Sequence, residues 1–306
     1  MLTRETMRGL YALPPTPFTP DGEFDEDSFR QNVRTLVEAG VDAVVTTGSN
    51  GEFHTMRWEM LERLIPALVE ETPDHVMAVA GCSAVHTEEA IRRTRFAMEC
   101  GADAVMNVSP FYIELTQREL IGFWQELSGA CPDIGIIVYN NVKTAQLHDI
   151  PVFKALAKLP NICGSKEGHT NYTLMMDLMH ETDLAHMTST ELDWFVSTMH
   201  MGAKGVFSMS ASIFPRYMVK LMNTCKEGRW DDAIRMQRWL RIAWDSLRDH
   251  PALEGYHMIA KFKAFVNAAG HLKCGKNRKP FISVTDEHQA ALTEYCQREL
   301  ADLVNV

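Results

Sequence analysis

The chain has 306 residues, long enough for one large domain or two smaller ones, with the 46% hydrophobic and 23% charged residues typical of soluble globular proteins. Its formal net charge of −10, without any basic tract, argues against nucleic-acid binding. No apolar run approaches the roughly 20 residues that span a bilayer, and the charged N-terminus lacks the pattern of a signal peptide, so we expect no membrane partner.

Strand and helix patterns alternate through most of the chain. An apolar strand at residues 9–18 is stopped by prolines, and a helix with apolar spacing follows at residues 25–39. Further strands are predicted at residues 41–45, 76–80, 104–108, 135–139, 161–166, 184–189 and 205–209. Further helices are predicted up to about residue 71 and at residues 87–100, 117–128, 152–159 and 192–201. Gly40, Gly101 and Gly202 each end a helix just before an apolar strand, as at a junction between βα units.

The strands are continuously apolar, which is typical of a parallel sheet covered on both faces. Eight such repeats favour a (β/α)₈ TIM barrel over a doubly wound sheet, and no glycine-rich dinucleotide fingerprint follows the first strand. After the last strand only helices are predicted, at residues 216–226, 230–247, 256–268 and 286–303, with a basic connector at 270–281. The sequence therefore predicts an α/β fold, with a barrel over residues 1–228 and a C-terminal helical extension packed on it over residues 229–306.

The cysteine pattern bears on cellular compartment and metal binding. Seven cysteines are scattered along the chain, without a CxxC pair and without metal-ligand spacing to histidine. An odd number of thiols in a chain without a signal pattern is typical of a reducing compartment. We therefore expect a cytoplasmic protein with no metal site.

Lys166 lies near the end of the sixth predicted strand, and Gly168 breaks the chain after it. Lysine is rarely buried, because its ammonium loses hydration. Desolvation lowers the pKa of a lysine, and the neutral amine can attack a carbonyl to form a Schiff base. The alternative is a lysine whose ammonium reaches solvent or pairs with Glu167.

Polar residues follow several other strands, and the catalytic groups of a barrel lie at these strand ends. Tyr112 follows the fourth strand, and Tyr139 ends the fifth, where it could transfer protons. The alternative for Tyr139 is a core tyrosine with a satisfied hydroxyl. Gly48, Ser49 and Asn50 follow the second strand and offer amide, hydroxyl and backbone donors for a carboxylate, although these residues alone favour a simple tight turn.

Five short motifs occur in order at the ends of successive predicted strands. They are Gly48-Ser49-Asn50-Gly51-Glu52, Ser109-Pro110-Phe111-Tyr112, Tyr139-Asn140, Gly164-Ser165-Lys166-Glu167 and Gly202-Ala203-Lys204-Gly205-Val206-Phe207-Ser208. Together they resemble the pyruvate-dependent class I aldolases that include dihydrodipicolinate synthase and N-acetylneuraminate lyase. The resemblance covers nearly the whole chain.

The resemblance implies roles for these motifs. Lys166 would carry the imine with pyruvate, Tyr139 would transfer protons, and Tyr112 would reach into a neighbouring subunit's site. Gly48, Ser49 and Asn50 would bind the pyruvate carboxylate, and Phe207 would lie against the bound pyruvate. It also implies no cofactor beyond the covalent lysine imine, a small-molecule 2-oxo acid substrate, and a homo-oligomer, either a dimer or a tetramer.

Several positions depart from the family pattern. Asn50 replaces a threonine of the proton relay, and Glu191 is the one acid left of a pair after the seventh strand. Dihydrodipicolinate synthases carry an arginine shortly after the Tyr-Asn dipeptide, where this chain has Lys143. A lysine binds an anion but gives no two-bond fork, so we expect poor activity with aspartate semialdehyde. Lys143 and Glu191 are the candidates for the aldehyde half of the pocket, with Trp194 nearby.

The sequence thus predicts a Schiff-base-forming, pyruvate-dependent aldolase that cleaves or forms a 2-oxo acid. Within the family, a dehydratase, a hydratase-aldolase or a dihydrodipicolinate synthase would share the imine chemistry. A barrel that binds a ligand without turnover is the alternative from another class.

Overall fold

The structure, a computed structural model, describes residues 1–142 and 146–306. The strands are β1 Gly9–Ala12, β2 Ala43–Val45, β3 Met77–Gly81, β4 Ala104–Asn107, β5 Gly135–Asn141, β6 Ile162–Gly168, β7 Ala185–Thr188 and β8 Gly205–Ser208. The helices between them are α1 Glu26–Ala39, α2 Trp58–Glu71, α3 Thr87–Glu99, α4 Gln117–Ala130, α5 Ile150–Leu156, α6 Tyr172–Glu181 and α7 Phe195–His200. After β8 follow α8 Pro215–Lys226, α9 Trp230–Arg248, α10 Met258–Ala269, α11 Asp286–Glu299 and α12 Ala301–Val304.

The eight strands form a closed barrel in the order β1 to β8, and the neighbouring pairs are parallel. Strands such as β4 and β8 are buried along their whole length, because barrel side chains cover one face and helices cover the other. The predicted (β/α)₈ barrel with C-terminal helices is confirmed. Within residues 1–142 and 146–306, no helix combines the length and apolar character needed to cross a bilayer.

The chain divides into two compact units. The first contains Met1–Gly9 and Met77–Phe207, and therefore β3 to β7 and most of β8. The second contains Leu10–Val76 and Ser208–Val306, and therefore α1, β2, α2 and the helices α8 to α12. The predicted boundary at residue 228 falls in the turn between α8 and α9, and the division into barrel and extension stays a prediction.

Some elements differ from the prediction. β1 is shorter than the predicted strand at residues 9–18, since prolines follow it and cannot donate to a sheet. α6 was not predicted: it begins after Asn171, whose side chain accepts from the Leu174 amide, and it buries only Met175 and Leu178. The predicted helix at residues 192–201 begins only at Phe195.

Candidate active site

β6 carries Lys166 into the interior of the barrel. Lys166 is 4% exposed and lies opposite Tyr139 in the pairing of β5 with β6. Its Nζ lies 3.9 Å from the centroid of the Tyr139 ring and 5.5 Å from that of Phe207. Because β8 does not neighbour β6 in the sheet, side chains of these two strands meet only inside the barrel. The structure thus brings together three of the predicted site residues.

Gly168 leaves room for the Tyr139 ring close to the end of β6. A Cβ at this position would lie 2.7 Å from Tyr139 Cε2, which real Cβ atoms do not reach, and 3.4 Å from the hydroxyl oxygen. The absence of a side chain at Gly168 therefore lets the tyrosine lie beside Lys166.

Glu167 faces away from Lys166, because successive strand residues point to opposite faces. Its buried carboxylate accepts hydrogen bonds from Asn140 Nδ2 at 2.9 Å, from His169 Nε2 at 2.7 Å and from the Ser165 hydroxyl. Burial raises the pKa of Glu167, but hydrogen bonds and charge from neighbouring histidines outweigh it and lower the pKa to about 2. Both carboxylate oxygens are engaged on the outer face of β6, which weakens the alternative of a Lys166–Glu167 pair.

The loop after β7 is tied to the end of β6. The Ser189 amide donates to the Glu167 carbonyl oxygen at 3.0 Å, and the Thr190 hydroxyl donates to the His169 carbonyl oxygen at 3.2 Å. Glu191, which follows, is 4% exposed. This loop therefore buries a carboxyl group close in sequence to the strand ends that form the site.

Trp194 lies at the start of α7 and packs against α6. Its ring centroid is 5.2 Å from that of Tyr172, with the rings nearly perpendicular. This edge-to-face contact gives Trp194 a packing role, whatever it contributes to an acceptor pocket.

The predicted carboxylate-binding loop belongs to the second unit, where it follows β2. Gly48, Ser49 and Asn50 are half-buried. Thr47 before them has a φ of 48°, a left-handed conformation that non-glycine residues rarely adopt. Such backbone conformations persist only where surrounding contacts hold them.

Glu52 supplies those contacts at the end of the loop, where it also has a left-handed φ of 56°. Its fully buried carboxylate accepts from Lys263 Nζ at 2.8 Å, Asn277 Nδ2 at 3.1 Å and the Arg278 amide at 2.9 Å. Burial lowers the pKa of Lys263, which is 2% exposed, and the charge of Glu52 opposes that shift. A buried ion pair with additional hydrogen bonds therefore anchors the loop.

One predicted site residue, Tyr112, lies outside the buried cluster. Tyr112, after β4, is 82% exposed, and Ile113 beside it is 66% exposed, so neither takes part in the contact between Lys166 and Tyr139. Lys143 lies outside the described residues. Among the residues that are described, no three His, Cys, Asp or Glu side chains are grouped to hold a metal ion.

Sequence reasoning missed the polar side chains behind Lys166. His169 and His186 contact Glu167, with His186 Nδ1 3.7 Å from Glu167 Oε1. The available signal was the alternation of Ser165 and Glu167 along a strand otherwise read as apolar, which indicates polar groups on its outer face.

Comparison with known proteins decides the family. The sequence profile described as "Dihydrodipicolinate synthetase family" matches residues 6–299. The chain belongs to the dihydrodipicolinate synthetase family. Among curated relatives, it is 32% identical to the 4-hydroxy-tetrahydrodipicolinate synthase of Methanosphaerula palustris, with 91% of this chain and 94% of the relative covered. It is 29% identical to the enzyme of the same name from Methanothrix thermoacetophila, with 94% and 95% covered.

Solved structures of the dihydrodipicolinate synthetase family match over nearly the whole chain. A dihydrodipicolinate synthase has a TM-score of 0.84 at 27% identity, with 96% of this chain and 99% of that chain covered. Two others share the fold: a prophage protein of the family from E. coli K12 in complex with pyruvate (TM-score 0.86, 21% identity, 97% and 99% covered) and a Ruminococcus gnavus sialic acid aldolase (0.89, 18%, 98% and 99%). The predicted resemblance is confirmed, and with it the prediction of a pyruvate-dependent lyase of this family.

Proposed function

We propose that Lys166 is the residue that forms the Schiff base with pyruvate. Its amine attacks C2 of pyruvate, the carbinolamine loses water, and an imine remains. Loss of a proton from C3 gives an enamine, whose C3 adds to the carbonyl carbon of an aldehyde. Hydrolysis then releases a longer 2-oxo acid and the free lysine, and the same steps in reverse cleave that acid.

The observation that carries this proposal is the buried Lys166 amine, 3.9 Å from the Tyr139 ring centroid. Burial disfavours the charged ammonium relative to the amine that must attack. Once the cationic iminium forms, the faces of Tyr139 and Phe207 stabilise its charge. The rings attract the ammonium as well, so desolvation alone favours the attacking amine, and the rings favour the charged product of the attack.

The other groups complete the proposed site. The Tyr139 hydroxyl transfers protons in the carbinolamine and aldol steps. The exposure of Tyr112 supports a role in the site of a neighbouring subunit, in a cytoplasmic homo-oligomer. Glu191 contributes to the aldehyde half of the pocket.

Two assignments rest on sequence resemblance. Gly48, Ser49 and Asn50 are proposed to bind the pyruvate carboxylate, and Phe207 to contact the bound pyruvate. Lys143, which departs from the family pattern, is proposed to bind the aldehyde substrate because its ammonium can bind an anion.

Borohydride trapping with pyruvate tests the role of Lys166. In the wild-type protein we expect mass spectrometry to find the reduced adduct on Lys166. Lys166→Ala should give no adduct and no turnover while the protein stays folded, because only the nucleophile is removed. Lys158→Ala, which changes an exposed lysine of the same unit, is the matched control and should behave as wild type. An adduct on a different lysine of the wild-type protein would contradict the assignment.

A second candidate is 4-hydroxy-tetrahydrodipicolinate synthesis from pyruvate and aspartate semialdehyde, which the names of the relatives at 29% and 32% identity favour. The lysine at position 143 argues against it. Losing one good charge-assisted hydrogen bond costs about 1.5–3 kcal/mol, a roughly ten- to hundredfold loss in rate.

The substrate prediction is tested by kcat/KM. We expect pyruvate with aspartate semialdehyde to be a poor substrate pair beside larger 2-oxo acids measured in the cleavage direction. Lys143→Arg should raise kcat/KM for aspartate semialdehyde, since arginine restores the two-bond fork. If aspartate semialdehyde is the best substrate by a wide margin, the interpretation of Lys143 is wrong.

A further inference from the structure

His186 lies between two hydroxyl groups behind Lys166. Ser165 has one hydroxyl proton, which it donates to Glu167 Oε1, so its oxygen accepts from His186 Nδ1 at 2.7 Å. On the other side of the ring, His186 Nε2 lies 2.7 Å from the Thr182 hydroxyl oxygen, within hydrogen-bond distance.

His169 donates to the same carboxylate. The Asn171 amide donates to His169 Nδ1 at 3.1 Å, and His169 Nε2 donates to Glu167 Oε2 at 2.7 Å. Glu167 Oε1 and His186 Nδ1 are 3.7 Å apart and are joined through the Ser165 hydroxyl. A buried carboxylate with these hydrogen bonds holds a single geometry.

Cross-strand pairing connects the hydrogen bonds of Glu167 to the residues of the proposed reaction. Tyr139 opposes Lys166 across β5 and β6, and Asn140 opposes Glu167 one residue further along. The hydrogen bond from Asn140 Nδ2 to Glu167, 2.9 Å long, joins the outer faces of the two strands there. The contact of Tyr139 with Lys166 inside the barrel is thus held by the hydrogen bond of Asn140 with Glu167 on the outer face.

The neighbouring strand on the other side is held in the same way. Ser165 opposes His186 across β6 and β7, one residue before Lys166. The hydrogen bond between them, 2.7 Å long, joins the outer faces of these strands. Both residues adjacent to Lys166 in sequence therefore make a polar contact with a neighbouring strand: Glu167 with β5 and Ser165 with β7.

We propose that Glu167 is a positioning residue, which holds β6 in the orientation that places Lys166 against the Tyr139 ring. This inference rests on the proposed function of Lys166. Because adjacent strand residues are joined rigidly and point to opposite faces, a rotation of Glu167 about the strand axis also rotates Lys166. A misplacement of about 1 Å between reacting groups can cost about 100-fold in rate.

The kinetic test compares Glu167→Gln with Glu181→Gln. The second variant removes an exposed carboxylate that pairs with Lys154 at 2.6 Å in the same unit. Borohydride trapping with pyruvate is followed over a range of pyruvate concentrations, and the rate is expressed per folded molecule. For Glu167→Gln we expect the saturating rate of adduct formation to fall about ten- to hundredfold. The half-saturating pyruvate concentration should change little, and Glu181→Gln should match wild type in both.

The outcomes separate positioning from stability alone. A folded Glu167→Gln protein that forms the adduct at the wild-type rate, even with a lowered melting temperature, overturns the inference while the proposed function stands. If the wild-type protein forms no adduct on Lys166, the proposed function itself fails. If Glu167→Gln does not fold, Ser165→Ala decides: a slower adduct with unchanged half-saturation supports the proposal, and a wild-type rate overturns it.

Discussion

At the scale of single residues, the two parts of Tyr139 have separate tasks in the proposed reaction. The ring faces the Lys166 amine, and the hydroxyl transfers protons. A change that removes only the oxygen leaves the ring contact and isolates proton transfer.

Tyr139→Phe should therefore lower kcat by about 10²–10⁴-fold, with a smaller change in KM. Steady-state kinetics in the cleavage direction measure both constants. Tyr295→Phe, a half-buried tyrosine of α11, is the control and should keep wild-type kcat. A Tyr139→Phe enzyme with near wild-type kcat would return this tyrosine to a packing role.

The sequence predicted the residues that meet inside the barrel better than those outside it. Lys166, Tyr139 and Phe207 could be found because each sits in a short motif near a strand end. His186 could not, because its contacts with Ser165 and Glu167 depend on the register of β6 and β7, which no local pattern specifies. A polar contact across strands leaves little trace in the spacing of residues along the chain.

At the scale of elements, the end of β6 depends on Gly168. Gly168→Ala would push the Tyr139 ring away, since the new Cβ would lie 2.7 Å from Tyr139 Cε2. We expect kcat to fall about tenfold or more, and the free energy of unfolding to fall by about 1–3 kcal/mol through overpacking.

Gly122→Ala in the middle of α4 is the matched control. A Cβ there meets nothing within 4 Å, so alanine should stabilise the protein by about 0.5–1 kcal/mol and leave kcat unchanged. Urea unfolding and steady-state kinetics measure both variants. Equal kinetics in the two alanine variants would show that the close contact with Tyr139 has no role in turnover.

The prediction of elements failed where the apolar signal was weak or broken. α6 was missed because only two of its residues are buried, so its helical spacing is faint. The predicted helix at residues 286–303 breaks at Leu300 into α11 and α12. Long strand-helix repeats were visible because each apolar stripe is buried against the barrel.

At the scale of the whole molecule, His148 makes stability depend on pH. Burial lowers the pKa of His148 to about 4, and its Nε2 accepts a hydrogen bond from Trp124 Nε1 at 2.8 Å, which the protonated ring cannot do. The unfolded chain binds a proton near pH 6.5. The contribution of His148 to the free energy of unfolding is therefore complete above pH 6.5 and is lost as the pH falls towards 4. The total loss is on the order of 3 kcal/mol.

Glu167 extends the same trend to lower pH. Because its pKa is lowered from 4.5 to about 2, its contribution is present above pH 4.5 and is lost as the pH falls towards 2.

Melting temperatures between pH 7 and pH 4 test the contribution of His148. His148→Gln keeps an acceptor for Trp124 and should flatten the profile, whereas His75→Gln at an exposed site should not. An unchanged slope in His148→Gln would assign the acid sensitivity to other groups.

The anchor of the β2 loop has a consequence for how the chain is made. Glu52 can form these hydrogen bonds only after Lys263, which follows it by 211 residues, and Arg278, which follows by 226, have been synthesised. Synthesis proceeds from the N-terminus, so β2 and its loop leave the ribosome long before these partners exist. A chain interrupted before residue 263 has the complete sequence of the loop but lacks the ammonium that neutralises Glu52. Maturation of this loop therefore requires that synthesis has passed residue 278, and chains terminated before that point lack part of its anchor.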